Sequence, residues 1–128
     1  MKRNKIVAMT MALSIGMMGS VVSVSAASKL TPVKNTEFGT FSYGIIDGNN
    51  QVEAKTHVTK KANKLHTKVE VQINATGKKI GSADVTLKNG LKNDIKVSKK
   101  NIKKNLAAFS CHEAIGKGNV TKYDAEIF

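Results

Sequence analysis

The feature that most restricts the fold is a period-two alternation of apolar and polar side chains, which recurs from Phe38 onward in short runs. The clearest run covers residues 65–73. One face of this run would carry Leu65, Thr67, Val69, Val71 and Ile73, and the other face would carry the polar residues between them. Successive side chains of a strand point to opposite faces, so the run predicts a strand with one face in the core and one in water.

Residues that are typical of turns separate the alternating runs. These segments are Asp47–Asn50, Asn74–Lys78, Asn89–Gly90 and Gly116–Asn119. Short strands at regular spacing, with such turns between them, favour an antiparallel sandwich or barrel. We therefore predict an all-β fold, a small antiparallel β-sandwich that forms a single domain over residues 38–128. Residues 27–37, which contain the only proline, are interpreted as a flexible lead-in.

One stretch, residues 91–106, is compatible with two kinds of secondary structure. Its apolar residues at helical spacing are Leu91, Ile95, Ile102 and Leu106. This spacing would place them on one face of an amphipathic helix. Ile95 and Val97, however, alternate with lysines as they would in a strand. The all-β context favours strand and loop, and the helix remains the alternative.

The first 26 residues have the three parts of an export signal. Positive charges at the start are followed by an uncharged, mainly apolar stretch from Ile6 to Val24 and by small residues up to Ala26. This order predicts a signal peptide over residues 1–26, cleaved before Ala27. The alternative is a transmembrane anchor, because the uncharged stretch could nearly span a bilayer. We expect a secreted, extracellular protein without a transmembrane segment in its mature form.

The basic residues beyond position 26 are all lysines, 18 of them against nine acidic side chains. Arg3 is the only arginine in the chain. Base-edge and bidentate phosphate recognition depend on the arginine fork, and single-stranded nucleic acids also need exposed aromatic side chains. The composition therefore favours anionic cell-wall polymers or lipid headgroups as partners, and no nucleic acid. The alternative is that the charge serves solubility alone.

The densest group of lysines lies between residues 96 and 104. Its members are Lys96, Lys99, Lys100, Lys103 and Lys104. A basic segment of this kind attracts anions, and on a sheet edge it also opposes aggregation. We take these five lysines as the candidate residues for binding an anionic surface. The alternative is that they form a solvated edge without a partner.

The segment Cys111-His112-Glu113 carries the residue types of a thiol nucleophile and its base. Adjacent side chains of a strand point to opposite faces, so Cys111 would need His57 or His66 from another segment. The three histidines also lack the close ligand spacing of zinc sites, and we expect them on the surface. We predict no catalytic residue, no metal and no cofactor, hence no enzyme. A secreted thiol enzyme centred on Cys111 is the alternative.

Three segments resemble small exported β-sandwich proteins of Gram-positive bacteria. They are Phe38–Gly44, Leu65–Val69 and Ala108–Glu113. The Gly-Thr-aromatic opening at Gly39 and the strand start at His66 are also similar to the lactococcin family of bacteriocins, which act on the cell-wall precursor lipid II. The resemblance implies a β-sandwich and a bacteriocin-like antimicrobial activity. The export signal and the charge favour a secreted non-enzymatic protein that associates with the anionic cell envelope.

Overall fold

The computed structural model describes residues 29–128, and the predicted signal peptide over residues 1–26 lies outside them. The strands are β1 (Thr31–Thr36), β2 (Gly39–Asp47), β3 (Gln51–Ile73), β4 (Lys79–Ser98), β5 (Leu106–Ile115) and β6 (Asn119–Ile127). The described residues contain no helix, and every strand pairing is antiparallel. The prediction of an all-β antiparallel fold is confirmed.

Two long strands give the sheet its shape. The strand order is β1-β2-β3-β5-β6, and β4 pairs with β3 outside this path. The first part of β3, residues 52–58, pairs with β2, and its second part, residues 64–73, pairs with β5. Strand β4 pairs with both parts of β3. The β3–β4 ribbon therefore runs through two layers, the first completed by β1 and β2 and the second by β5 and β6.

The core lies between these two layers. Ile45 and Val97 of the first layer belong to the same buried cluster as Val69 and Leu106 of the second. The layers approach closely at Gly81, because a Cβ atom built on this glycine would lie 2.6 Å from Cγ1 of Val97. A side chain at position 81 would therefore require Val97 or the backbone around it to shift.

Strands β2 and β6 also approach each other, which makes the sheet nearly barrel-shaped. The backbone N–H of Ile45 in β2 donates to a carboxylate oxygen of Asp124 in β6 over 3.2 Å. Burial raises the pKa of Asp124, although the amides of Ile45 and Ala125 act in the opposite direction. This contact joins the two layers on the side away from β4.

The turn predicted at Asn89–Gly90 is wrong, because β4 continues through these residues. Asn89 has a positive φ of 54°, and the register of β3 against β4 shifts between His57 and Ala62. Extra residues in a strand bend it and increase its twist. Asn and Gly both tolerate left-handed backbone. This property favours the pair in hairpin turns, and it also allows the pair to occupy this irregularity within a strand. The bend carries the β3–β4 ribbon from one layer into the other.

The remaining turn predictions are confirmed. Residues 48–50 connect β2 to β3, residues 74–78 connect β3 to β4, and residues 116–118 connect β5 to β6, each within its predicted segment. The interpretation of residues 91–106 as strand and loop is also confirmed, because β4 ends at Ser98 and β5 begins at Leu106.

The flexible lead-in expected over residues 27–37 is corrected in part, because Thr31–Thr36 form β1 and pair with β2. Pro32 is compatible with this strand because β1 is an edge strand, where a residue without an N–H is tolerated. The sheet therefore begins before residue 38.

Candidate functional site

A polar cluster lies in the core between the layers. His112 of β5 contacts Ser110 through Nε2 at 2.6 Å and Thr56 through Nδ1 at 2.8 Å. The hydroxyl of Thr56 also lies 2.6 Å from that of Thr67. All four side chains are fully buried. The alternation of β3 and β5 places each of them on the face that packs against the other layer.

Burial lowers the pKa of His112 to about 3. Its imidazole is therefore neutral at physiological pH, with one nitrogen donating and the other accepting. The hydroxyls of Ser110 and Thr56 supply one partner to each nitrogen. This satisfies the hydrogen-bonding capacity of the ring without a charge in the core.

The Ser110–His112 pair has the spacing of a nucleophile and its base, but its surroundings are those of a structural pair. The second nitrogen of His112 faces the hydroxyl of Thr56, whereas a nucleophilic triad places an orienting group such as a carboxylate there. Ser110 and His112 are both 0% exposed, so no substrate can reach the hydroxyl without opening the core. The cluster serves to join the two layers.

Cys111 and His112 point to opposite faces of β5, as the alternation predicts. Cys111 pairs in register with Lys68 and Tyr123 on the face turned away from the His112 cluster. Burial raises the pKa of its thiol to about 11. The thiolate is the reactive form of cysteine, so this environment disfavours a nucleophilic role for Cys111.

The prediction that all three histidines lie on the surface is wrong for His112, which is buried. His57 and His66 are partly exposed, and each bonds to an aspartate of β4. The distances are 2.7 Å from His57 to Asp94 and 2.6 Å from His66 to Asp84. Within residues 29–128, no group of three or more His, Cys, Asp or Glu side chains is arranged to hold a metal ion.

The five candidate lysines do not form one uniform patch. Lys96 lies on the exposed face of β4, and Lys100, Lys103 and Lys104 are exposed in the loop between β4 and β5. Lys99 differs from these four, because its ammonium group forms an ion pair with Asp47 and lies 5.6 Å above the Phe128 ring. We therefore assign Lys99 to holding the loop and the other four to the accessible charge.

The turn between β3 and β4 adds two more lysines to this end of the molecule. The backbone N–H of Asn74 donates to the carbonyl of Asn105 over 2.9 Å, which joins that turn to the β4–β5 loop. Lys78 and Lys79 in and after the turn are exposed. Sequence reasoning missed both residues, because their proximity to the loop arises from the pairing of β3 with β4 and β5.

Five of the nine carboxylates in residues 29–128 bond to histidines or to backbone amides, so few of them are paired with lysines. Asp94 bonds to His57, Asp84 and Glu113 to His66, Glu37 to the amides of Lys117 and Gly118, and Asp124 to the amides of Ile45 and Ala125. Among residues 29–128, the lysines with ion pairs are Lys55, with Glu53, and Lys99, with Asp47. The other lysines present their charge to the surroundings.

No protein family and no curated protein matches the chain. In the described part of the chain, no helix is long and apolar enough to cross a membrane.

Proposed function

We propose that the chain is a secreted, non-enzymatic β-sandwich protein that associates with the anionic bacterial cell envelope through its lysines. The observation that supports this proposal is the separation of its charges. Five of the nine carboxylates in residues 29–128 are bound by histidines or by backbone amides, whereas most lysines there have no ionic partner. Such a surface attracts extended anions over several ångströms without a shaped pocket.

The absence of arginine beyond position 3 fits an extended, repetitive target. Lysine carries a compact, hydrated charge on a flexible stem, whereas arginine recognises single phosphates or carboxylates through a fixed fork. Wall polymers and lipid headgroups present many equivalent anions. Their attraction to mobile ammonium groups does not require one fixed geometry.

Binding to isolated Gram-positive envelopes across a salt series tests this proposal. Protein purified from an expressing Gram-positive culture is mixed with envelopes, and the bound fraction is measured after sedimentation. We expect binding at low salt that falls steeply toward about 0.5 M salt, where the screening length is only a few ångströms. Absence of binding at low salt, or binding that salt does not weaken, would refute the proposal.

A bacteriocin-like activity is the second candidate, and the similarity of the Gly39 and His66 segments to the lactococcin family favours it. The test is the growth of a panel of related Gram-positive bacteria in the presence of the purified protein. Inhibition of at least one strain by the protein, and not by a heat-unfolded sample, is the expected result. Unchanged growth across the panel would leave envelope association without antimicrobial action.

A further inference from the structure

A short line of exposed lysines follows the bend of the β3–β4 ribbon. Lys64 of β3 and Lys88 of β4 stand directly opposite each other in the ladder. The next residue of β3, Leu65, is fully buried, so the Lys64–Lys88 pair points away from the core. Lys92 lies on the same outward face, because its neighbour Asn93 is buried. We call Lys64, Lys88 and Lys92 the bend lysines.

The bend lysines form no ion pair with another residue of the described range 29–128. Three acidic side chains on the same face of the ribbon and of β5 are bonded to histidines instead. Asp84 and Glu113 contact His66 at 2.6 Å and 3.5 Å, and Asp94 contacts His57 at 2.7 Å. The histidines therefore engage these carboxylates, and the three ammonium groups present their charge to the surroundings.

The requirements of folding do not account for the Lys64–Lys88 pair. Like charges at facing positions of a ladder destabilise a sheet. Lysines on an edge strand oppose aggregation, which would explain Lys88 on β4. It does not explain Lys64, because β3 is paired on both sides at this position, with Lys88 and with Ile115 of β5. An anion held between the two ammonium groups would remove the repulsion, so the pair indicates a ligand.

The line of charge continues from the bend toward the lysines already assigned to the envelope surface. Lys96 follows Lys92 by four residues on the outward face of β4, and the lysines of the β4–β5 loop come next. Glu53 stands opposite Lys96, but its carboxylate contacts Lys55 at 4.0 Å and Gln51 at 3.2 Å. A strand advances by about 3.4 Å per residue, so Lys92 and Lys96 are about 14 Å apart along β4. This spacing fits a linear ligand with repeated charges better than a single small anion.

We propose that the bend lysines bind a linear anionic polymer of the cell envelope, which runs along the outward face of β4 toward the β4–β5 loop. This inference rests on the proposed function and identifies a wall polymer, not lipid headgroups, as the component bound at the bend. A surface that enters a bilayer presents apolar side chains to the lipid together with its lysines. Val85 and Leu87, two of the exposed large apolar side chains, lie on the opposite face of the ribbon. Complementary charge is what the bend lysines offer to a partner.

The double variant Lys64→Gln/Lys88→Gln tests the site against a matched control, Lys29→Gln/Lys34→Gln. The control loses the same charge at β1, which lies at the opposite end of the first layer from β4. The probe is fluorescent poly(glycerol phosphate), and its affinity is measured by anisotropy across a salt series. We expect weaker binding by the bend variant. Its slope of log affinity against log salt should be shallower by about 1.4, for two lost phosphate contacts, and the control should stay close to the parent.

The variant Lys64→Glu separates binding from stability. It places opposite charges at facing positions of the ladder, so its melting temperature without polymer should rise by a few degrees. Its affinity for the polymer should nevertheless be lower than that of Lys64→Gln, because the glutamate repels the ligand. Added polymer should raise the melting temperature of the parent protein more than that of the variant. A lysine with a purely structural role would instead lower the stability when it is replaced.

The outcomes separate this inference from the proposed function. Equal losses of polymer affinity in the bend variant and the control would mean attraction by the net charge alone, which overturns the inference and leaves envelope association in place. Binding of the parent protein to phosphatidylglycerol vesicles but not to the polymer would identify a lipid surface and would also overturn it. So would a Lys64→Glu variant that is less stable than the parent. Absence of binding to the polymer, the vesicles and whole envelopes would overturn both proposals.

Discussion

Nδ1 of His112 in the second layer lies 2.8 Å from Oγ1 of Thr56 in the first, so a polar contact joins the two layers of the core. Both side chains are fully buried. An isolated imidazole or hydroxyl in such a place would destabilise the fold, whereas a fully bonded cluster fixes the position of one layer on the other.

The first prediction concerns the pH dependence of stability. The pKa of His112 is about 3 in the folded protein, below the value of 6.5 for a free side chain. The unfolded chain therefore binds more protons between these pH values. The contribution of His112 to the free energy of unfolding is complete above pH 6.5. It should fall as the pH is lowered, by about 1.4 kcal/mol per pH unit.

Denaturant unfolding at several pH values between about 4 and 8 measures this slope. The variant His112→Gln keeps a polar side chain that does not titrate. Its free energy of unfolding should therefore change less with pH below pH 6.5, whatever its absolute stability. Equal slopes in the parent protein and the variant would show that His112 does not titrate as the structure implies.

The second prediction isolates the hydroxyl of Thr56. Replacing Thr56 with Val keeps the shape but leaves both Thr67 and His112 without one hydrogen-bond partner. We expect the free energy of unfolding to fall by about 1–3 kcal/mol, the usual cost of an unsatisfied buried polar group. Thr56→Ser keeps the hydroxyl and loses only a methyl group, so it should be closer to the parent. A valine variant more stable than the serine variant would contradict the role of the cluster.

The third prediction concerns the close contact between the layers at Gly81. An alanine there would place Cβ 2.6 Å from Cγ1 of Val97. We expect Gly81→Ala to lower the free energy of unfolding by about 1–3 kcal/mol through overpacking. In the double variant Gly81→Ala/Val97→Ala the clash is absent, so the alanine at position 81 should cost less than it does alone. If the effects of the two single substitutions on the free energy of unfolding simply add in the double variant, the two residues are not in contact.

The fourth prediction concerns the thiol of Cys111, which is 9% exposed and has its pKa raised to about 11. In the folded protein it should react with a thiol reagent such as DTNB at pH 8 far more slowly than in denaturant. A Cys111→Ala sample, which should give no signal, provides the blank. Labelling of the native protein as fast as that of the unfolded chain would restore Cys111 as a candidate nucleophile.

The strand content could be predicted from the sequence because alternation and turn residues are local signals. The continuity of β4 could not, since an Asn-Gly pair serves a hairpin turn and a strand irregularity equally well. Which of the two forms depends on the strands that pair with the residues before and after Asn-Gly. In β4 these residues all pair with β3, through its residues 51–57 and 62–72, so the strand continues through the bend.

The burial of His112 depends on partners from distant parts of the chain, since Thr56 is 56 positions away. A local signal was nevertheless present. Ala108 and Ala114 share the face of His112 on β5, and a face of small and apolar residues is typical of a core. The sequence alone shows that lysines are concentrated between residues 96 and 104, so part of the candidate surface could be predicted. The ion pair of Lys99 with Asp47 was not, because it depends on how the β2–β3 turn meets the β4–β5 loop.

The most direct test of the account is the salt dependence of envelope binding when accessible lysines lose their charge. Lys96, Lys100, Lys103 and Lys104 are replaced together by glutamine, and in a matched control by arginine. We predict weaker binding and a shallower dependence on salt for the glutamine protein, with the arginine protein close to the parent, because the attraction depends on charge. Identical affinity and salt dependence in all three proteins would contradict the assignment of these lysines to the anionic envelope.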